Sequence, residues 1–381
     1  CRTETSAAAR AGTTTLLHCL IDKESHNKTI PEAIAIVEKN AVCDIGFYAS
    51  IGTPQHVNEL QDYIAKGVTS FKWFFNRPEY EAMFGAPMAN DGEIFGAWQK
   101  LRDLGGLPMC HCENFEIANV ITEEIKQSGK EAYPGMWNDC RPGFCEYESM
   151  QKAAFIAKIA KTPVYIVHTS IRDGIDIALK ARQDGVEIYI ETCPQYLTRQ
   201  TDDPKLKLLE KVNPPLRFKE DNEKLWWGIK AGIVDTIGTD SAACKLENKM
   251  GNGDIWSVLL DWSGTDTMFP VVLTEGLKRD VSLERISQIC STNTARIMGI
   301  PNKGQIKVGF DADLVIVDLN KKTKLRNEDM LSYGDFSIWD GQELIYPTTT
   351  ISNGKVVVEN GKVIGKTGMG RFIKRVPKTK A

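Results

Sequence analysis

Short apolar segments recur through the first two thirds of the chain, and each is followed by a longer stretch with helical spacing. Seven of them have the length and the β-branched and aromatic content of strands, and they begin at Thr13, Ala41, Val68, Gly106, Pro163, Val186 and Ile233. The intervening segments, such as EYESMQKAAFIAKIAK, have apolar spacing typical of helices. Alternating strands and helices predict a parallel sheet, and seven such units are one short of a closed TIM barrel.

The pattern changes after a predicted helix that ends near Gly299. The segments KGQIKVGFDADLVIVDL and TTTISNGKVVVENGKVIG contain short β runs with Asn-Gly turns, the strongest local signal for a hairpin. We therefore predict an α/β barrel domain over residues 1–300, followed by part of a small β domain and a tail over residues 301–381. The basic tail GRFIKRVPKTKA is expected to be solvated.

One predicted strand contains a lysine at a position where a buried strand should be apolar. The segment VTSFKWFF, from Val68, is rich in β-branched and aromatic residues without alternation, which indicates a strand buried on both faces. Lys72 lies in its middle. An unpaired ammonium is among the most costly groups to bury, and burial shifts a lysine toward its neutral amine. The alternative is that Lys72 lies at a strand end and reaches solvent.

Three more polar residues lie near the ends of other predicted strands. His111 occurs in CHCEN, His168 in VHTS and Asp240 in GTDS. A single histidine on an apolar strand is more often a hydrogen-bonded core residue than a ligand. However, the carboxyl ends of barrel strands meet at one mouth, where these folds hold their chemistry. Two imidazoles and a carboxylate are a mixture that divalent ions such as zinc accept, so we predict a metal site that includes Lys72 and these three residues.

Composition argues against several classes of protein and partner. The net charge of -3 and the pI near 6.1 provide no concentrated basic surface, so neither nucleic acid nor an anionic membrane is an expected partner. No run of about 18 apolar residues occurs and the first residues lack the pattern of a signal peptide, which predicts a cytoplasmic location. The ten cysteines form no CxxC pair and predict neither a disulfide framework nor a zinc ribbon.

Seven ordered segments carry a resemblance to a known family: AAARAGTTT, SFKWFF, CHCEN, IVHTS, ETCPQYL, NPPLR and KGQIKVGFDADLVIVD. Over nearly its whole length the chain resembles the cyclic-amidohydrolase branch of the amidohydrolase superfamily, which includes dihydropyrimidinase, hydantoinase, allantoinase and dihydroorotase. The segment ETCPQYL favours dihydropyrimidinase and hydantoinase. The resemblance implies a (β/α)8 TIM barrel with a small β domain, hydrolysis of a C–N bond in a small cyclic amide, and a homo-oligomer, commonly a tetramer.

The same resemblance implies a role for each predicted ligand. Lys72 is then N6-carboxylysine, a carbamate that bridges two divalent metal ions, with zinc expected. His111 and His168 ligate the more buried ion, and Asp240 is both a ligand and the general acid/base. Two ions about 3.5 to 4 Å apart lower the pKa of a bridging water and polarise the carbonyl under attack. The carbamate is inferred from placement and resemblance, because the sequence shows only the lysine.

The sequence departs from the family at its amino end. Members begin their site with His-x-His at the end of the first strand, whereas no such pair occurs among the histidines here, which are His18, His26, His56, His111 and His168. Because AAARAGTTT normally follows that strand by one helix, we expect the chain to lack the first strand and roughly 70 to 80 residues. We therefore predict weak binding of one ion and little activity for this chain.

Other departures bear on the substrate. Arg77 stands where relatives carry a tyrosine thought to stabilise the oxyanion; the arginine could act likewise or be solvated, and Tyr80 could reach in instead. Asn213 replaces a serine whose backbone contacts the substrate amide. Asn252 either matches a substrate-binding asparagine or forms an ordinary Asn-Gly turn. Ser241 follows the predicted aspartate ligand where a histidine is expected.

Two other functions fit parts of the pattern. A non-catalytic assembly protein of the collapsin response mediator type resembles dihydropyrimidinase but lacks the metal site, and retention of the four predicted ligands argues against it. Activity of the allantoinase or dihydroorotase type is the second alternative. A separate zinc site at Cys110 and Cys112 is disfavoured, because alternation along a strand turns both cysteines away from His111 and toward the helices.

Overall fold

A computed structural model describes residues 1–75 and 89–378 of the 381-residue chain. Its largest element is a parallel sheet in which every strand pairs with the next one along the chain, in the order β1 to β7. The predicted α/β barrel architecture and all seven predicted strands are confirmed. The strands are β1 Thr15–Leu20, β2 Asp44–Ser50, β3 Ser70–Phe74, β4 Leu107–His111, β5 Val164–Ile166, β6 Ile188–Thr192 and β7 Thr236–Ile237.

Helices cover the sheet and connect its strands. Among the described residues, the α-helices are α1 Arg2–Arg10, α2 His26–Asn40, α3 Pro54–Asn58, α4 Leu60–Ala65, α5 Asp91–Leu104, α6 Phe115–Gln127, α7 Met136–Cys140, α8 Gly143–Ala160, α9 Asp173–Gln183, α10 Pro194–Thr198, α11 Lys219–Lys230, α12 Leu246–Met250, α13 Met268–Leu277, α14 Leu283–Ser287 and α15 Asn293–Ile297. Shorter helical turns are the 3-10 segments Lys207–Glu210 and Asn327–Asp329 and the π segment Gln288–Thr292. None of these helices combines the length and apolar content needed to cross a membrane.

Local sequence signals fix both ends of helix α5, which precedes strand β4. The side chain of Asn90 accepts hydrogen bonds from the first turn, and the Glu93 side chain accepts one from the Asn90 backbone N–H, which forms a capping box. At the other end, Gly105 adopts a left-handed φ of 72° that favours glycine. The chain therefore enters β4 immediately, and His111 becomes the last residue of that strand.

The smaller sheet is antiparallel and follows Pro301 in the chain. Its order is β13-β12-β11-β8, and a separate pair joins β9 to β10. Asn353 and Asn360, each before a glycine, adopt positive φ angles of 50° and 51° at two of its turns, as the Asn-Gly signals predict. The strands are β8 Leu314–Val317, β9 Thr323–Lys324, β10 Glu343–Leu344, β11 Pro347–Ser352, β12 Lys355–Glu359 and β13 Lys362–Val363.

The two faces of the parallel sheet have different neighbours. Phe71 and Trp73 of β3 belong to the large apolar core that includes the surrounding helices, as do Cys110 and Cys112. Met109 instead belongs to a second cluster with inward residues of β5 and β6. Alternation along β4 therefore puts the cysteines on the helix side, as predicted.

The basic tail is only partly solvated over residues 371–378, because Ile373 and Arg375 are buried, so the prediction of a solvated tail is wrong for these residues. Backbone N–H groups of Arg375, Val376 and Lys378 donate to carbonyls of Gly67, Gly299 and Gly105, at 3.2, 2.9 and 2.9 Å. Two of these glycines lie just before β3 and β4. The tail thus crosses the amino ends of the strands. There it buries the guanidinium of Arg375, whose side chain is 1% exposed.

Candidate active site

Lys72 lies inside the sheet near the carboxyl end of β3. All five residues of this strand are buried, and Lys72 is 6% exposed. Its Nζ is 3.4 Å from Nε2 of His168 and 5.1 Å from the centre of the Phe74 ring. Burial lowers the pKa of Lys72, while the negative charge of Asp240 opposes that shift. The alternative in which the ammonium reaches solvent is therefore wrong.

The two histidines meet above this lysine although they are distant in sequence. His111 is the last residue of β4, and His168 follows β5 with a left-handed φ of 41°. Nδ1 of His111 is 3.0 Å from Nε2 of His168, and both side chains are buried. Because Lys72 contacts the same Nε2, three nitrogens from three neighbouring strands converge at one buried point.

Asp240 lies at the rim of this cluster rather than within it. It follows β7 with a positive φ of 49° and is exposed. Its backbone carbonyl accepts a hydrogen bond of 3.2 Å from Nε1 of Trp262. Its carboxylate acts electrostatically on Lys72. Thus Lys72, His111 and His168 are in contact, and the aspartate is their exposed neighbour.

The donor set can be tested for its fit to a metal ion. In the part of the chain that the structure describes, no group of three or more His, Cys, Asp and Glu side chains is arranged to hold one. The two imidazole nitrogens that face each other are suitable ligands for zinc-type ions. The third neighbour is an amine, which becomes an anionic oxygen ligand only after conversion to a carbamate. The residues therefore fit a metal ion on condition that Lys72 is modified.

Sequence reasoning missed Glu113, which contacts the His111 ring. Its Oε2 is 2.7 Å from Nε2 of His111, and the carboxylate is fully buried. Its other oxygen, Oε1, is 3.7 Å from Nη1 of Arg141. The available signal was its position in CHCEN, two residues after the histidine, although nothing in that spacing shows a contact with the ring.

Glu191 of β6 was also missed, although it begins ETCPQYL. Its Oε1 accepts a 3.0 Å hydrogen bond from the backbone N–H of His168, and its Oε2 accepts a 2.7 Å bond from the Tyr165 hydroxyl. A Cβ atom at Gly238 would lie 2.5 Å from the Glu191 carboxyl carbon, so the glycine leaves room for this side chain. Glu191 thereby supports the left-handed turn that carries His168.

The predicted substrate residues have different surroundings. Asn213 is 8% exposed, and its Oδ1 accepts a 3.0 Å hydrogen bond from Nε1 of Trp137. Its Nδ2 is buried with no hydrogen-bond partner among the described residues. Asn252 lies in an exposed turn, where its backbone N–H donates to Ser257 Oγ at 2.9 Å. Arg77 and Tyr80 lie outside the described residues.

A parallel α/β barrel with imidazoles and a lysine at the carboxyl ends of its strands defines the class of metal-dependent barrel hydrolases. The chain belongs to the amidohydrolase family, whose model matches residues 1–364. Membership of this family implies the use of divalent metal ions. The family resemblance predicted from the sequence motifs is therefore confirmed.

Similar proteins agree with this assignment. The chain is 32% identical over 337 residues to an L-hydantoinase of Paenarthrobacter aurescens, a match that covers 87% of this chain and 72% of that protein. It is 31% identical over 390 residues to a D-hydantoinase of Geobacillus stearothermophilus, with 97% of this chain and 80% of that protein covered. The crystal structure of dihydropyrimidinase from Brevibacillus agri superposes with a TM-score of 0.91 at 28% identity, covering 100% of this chain and 84% of that one.

Proposed function

We propose that the protein hydrolyses a C–N bond in a small cyclic amide, such as a dihydropyrimidine or a hydantoin ring. The observation that supports this most is the buried contact of Lys72 Nζ and His111 Nδ1 with the same His168 nitrogen, at 3.4 and 3.0 Å. A core histidine pair held only for packing would not require a buried amine beside it. The substrate class follows from the similar hydantoinases and dihydropyrimidinase.

Lys72, His111, His168 and Asp240 are the residues that would hold the metal ions, with zinc preferred because imidazole suits it. When bound, such ions polarise the substrate carbonyl and lower the pKa of water. Lys72 enters as a carbamate: Nζ bonds to the carbon of carbon dioxide and loses a proton. Burial supports this step because it lowers the pKa of Lys72 and so favours the neutral, nucleophilic amine.

Asp240 is the proposed general base and then the general acid. It accepts a proton from the attacking water and returns it to the ring nitrogen as the C–N bond breaks. Its exposed position beside the buried lysine supports this role, because substrate and water must reach it. Substrate contacts are proposed for Asn213, Arg77 and Asn252, among which the buried Asn213 has the best structural support.

Metal content and hydrolysis together test this function. The protein is incubated with zinc and bicarbonate, then dialysed, and zinc per chain is measured together with hydrolysis of dihydrouracil and hydantoin. We expect bound zinc and measurable hydrolysis, and we expect Lys72→Ala to abolish the hydrolysis. Absence of bound zinc, with activity unchanged in Lys72→Ala, would overturn the proposal.

A further inference from the structure

Two aromatic rings pack against the His111 ring. The ring of Phe115 stacks on it at a centroid distance of 5.3 Å and an angle of 22°, and the ring of Phe74 lies 5.6 Å away. These contacts define the plane of the imidazole but do not determine which of its nitrogens carries the proton. That choice depends on the hydrogen bonds made at the ring edge.

Glu113 lies against one of the two ring nitrogens of His111. Its Oε2 lies 2.7 Å from Nε2 of His111, and the two side chains are 0% and 2% exposed. A carboxylate accepts hydrogen bonds, so Nε2 carries the proton and donates it. In the neutral ring Nδ1 then has the lone pair, and Nδ1 is the nitrogen that lies 3.0 Å from His168 Nε2.

A buried arginine, Arg141, lies beside this carboxylate. Its Nη1 is 3.7 Å from Glu113 Oε1, and its side chain is 4% exposed. The guanidinium carbon lies 4.8 Å from the Phe115 ring centre and 5.2 Å from that of Trp137. The Arg141 carbonyl in turn accepts a hydrogen bond of 2.6 Å from Nη1 of Arg217. The buried arginine therefore supplies a positive charge to Glu113 from a position fixed by aromatic rings.

We propose that Glu113 is a positioning residue that selects the Nε2–H tautomer of His111 and thereby presents Nδ1 to the metal ion. The inference rests on the proposed function only in that an ion binds at this point. Histidine ligands commonly donate their second ring N–H to a carboxylate, and loss of that partner costs about 10- to 100-fold in metal affinity. A plain structural ion pair with Arg141 would not affect the tautomer.

The chain offers a matched control in Glu146. This carboxylate is also buried, lies 3.2 Å from Nη2 of Arg217, and accepts a 2.8 Å hydrogen bond from the backbone N–H of Ser170. Its second oxygen accepts hydrogen bonds from the Ser170 hydroxyl and from Arg217. Glu146 therefore has a serine and an arginine as neighbours, whereas Glu113 has a histidine and an arginine. Substitution of Glu146 by glutamine therefore removes a buried carboxylate charge beside an arginine without changing the hydrogen bond to His111.

The first measurement needs no metal, and the parent protein alone decides it. Long-range proton–nitrogen NMR spectra of histidine-labelled protein report which ring nitrogen of His111 carries the proton, and replacement of His111 by glutamine serves only to assign its signals. We expect the Nε2–H form in the metal-free protein. An Nδ1–H form would overturn the inference, even if the protein binds zinc and hydrolyses cyclic amides.

The second measurement compares zinc affinity by competition with a chromophoric chelator. We expect affinity to fall about 10- to 100-fold in Glu113→Ala and less in Glu113→Gln, whose carbonyl still accepts from Nε2. Glu146→Gln should stay within about twofold of the parent protein, because the described hydrogen bonds of Glu146 go to Ser170 and Arg217. Equal affinity in the parent protein and Glu113→Ala would overturn the inference, as would an equal loss in Glu146→Gln. If the parent protein binds no zinc, the proposed function fails while the NMR result still decides the tautomer.

Discussion

Each end of the barrel buries a basic side chain, and the two side chains have different partners. At the amino ends, the Arg375 guanidinium donates from Nη1 to Ser70 Oγ and the Met298 carbonyl, at 3.0 and 3.2 Å, and from Nη2 to the Phe47 carbonyl. Two residues along β3 from Ser70, Lys72 instead faces an imidazole and an aromatic ring. Oxygen acceptors surround the Arg375 guanidinium, whereas the Lys72 amine lies against an imidazole nitrogen, a group that often binds metal ions.

This difference shows that burial alone does not identify a functional group. Burial lowers the pKa of Arg375 to about 9, and it also lowers the pKa of Lys72. The neighbours distinguish the two, because two backbone carbonyls and a hydroxyl accept hydrogen bonds from Arg375, whereas Lys72 lies beside an imidazole nitrogen that is also 3.0 Å from His111 Nδ1. We interpret the amino end as a structural closure and the carboxyl end as the reactive mouth.

The largest expected effect is that of Lys72→Met. If Lys72 is the carbamate ligand proposed above, this substitution removes that ligand, and hydrolysis should then fall at least about a thousandfold, because such ions supply several kcal/mol of charge stabilisation. The melting temperature should stay the same or rise, because methionine replaces a buried amine whose hydrogen-bonding neighbour is an imidazole nitrogen. Hydrolysis assays, zinc content and calorimetry measure these outcomes.

Lys249→Met is the matched control for this substitution. Lys249 is fully buried too, but its Nζ donates to the carbonyls of Lys211 and Leu259 at 2.5 and 2.7 Å. We expect zinc binding to be unchanged in this variant. If both substitutions reduced zinc content equally, the contact of Lys72 with His168 would not distinguish it functionally from Lys249, which is bonded to carbonyls.

The next largest effect concerns the amino end. Arg375→Met leaves two buried carbonyls and a hydroxyl without their donor, which outweighs the relief from burying a charge, so unfolding free energy should fall by about 2 kcal/mol. Denaturant titration measures this change. Zinc affinity should remain that of the parent protein, and a loss of affinity would show that the two ends are coupled.

The strands and the proximity of Lys72, His111 and His168 could be predicted from the sequence for one physical reason. Apolar periodicity records which side of a backbone is buried, so a polar residue such as Lys72 within an apolar strand stands out in the sequence itself. Arg375 does not stand out in this way, because its main partners are carbonyls, which every residue possesses. Glu113 was missed because a hydrogen bond to one ring nitrogen depends on side-chain geometry that residue spacing does not encode.

The pH dependence of stability sharpens the comparison further. Burial lowers the pKa of Lys249 from 10.5 to about 7. Between these pH values the unfolded chain binds more protons at this residue than the folded chain, so this group makes the free energy of unfolding rise with pH. The cost of burying the charge is fully present below pH 7 and disappears as pH rises toward 10.5.

The stability of Lys249→Met relative to the parent protein should therefore be highest at about pH 6 and lowest at about pH 10. Differential scanning calorimetry of both proteins at three pH values measures the difference in melting temperature. A difference that does not change with pH would mean that Lys249 remains charged in the folded protein across this range.

The smallest effect is expected for Asn213→Ser. The substitution removes one of two acceptors of Trp137 Nε1, which keeps its 3.0 Å bond to the Val212 carbonyl, so stability should fall by less than about 1 kcal/mol. If Asn213 contacts the substrate as proposed, KM for hydantoin should shift by about threefold while kcat changes less, because such a contact binds the ground state and the transition state alike. A fall in kcat with constant KM would instead place Asn213 in the reacting machinery and extend the reactive mouth beyond the ligands.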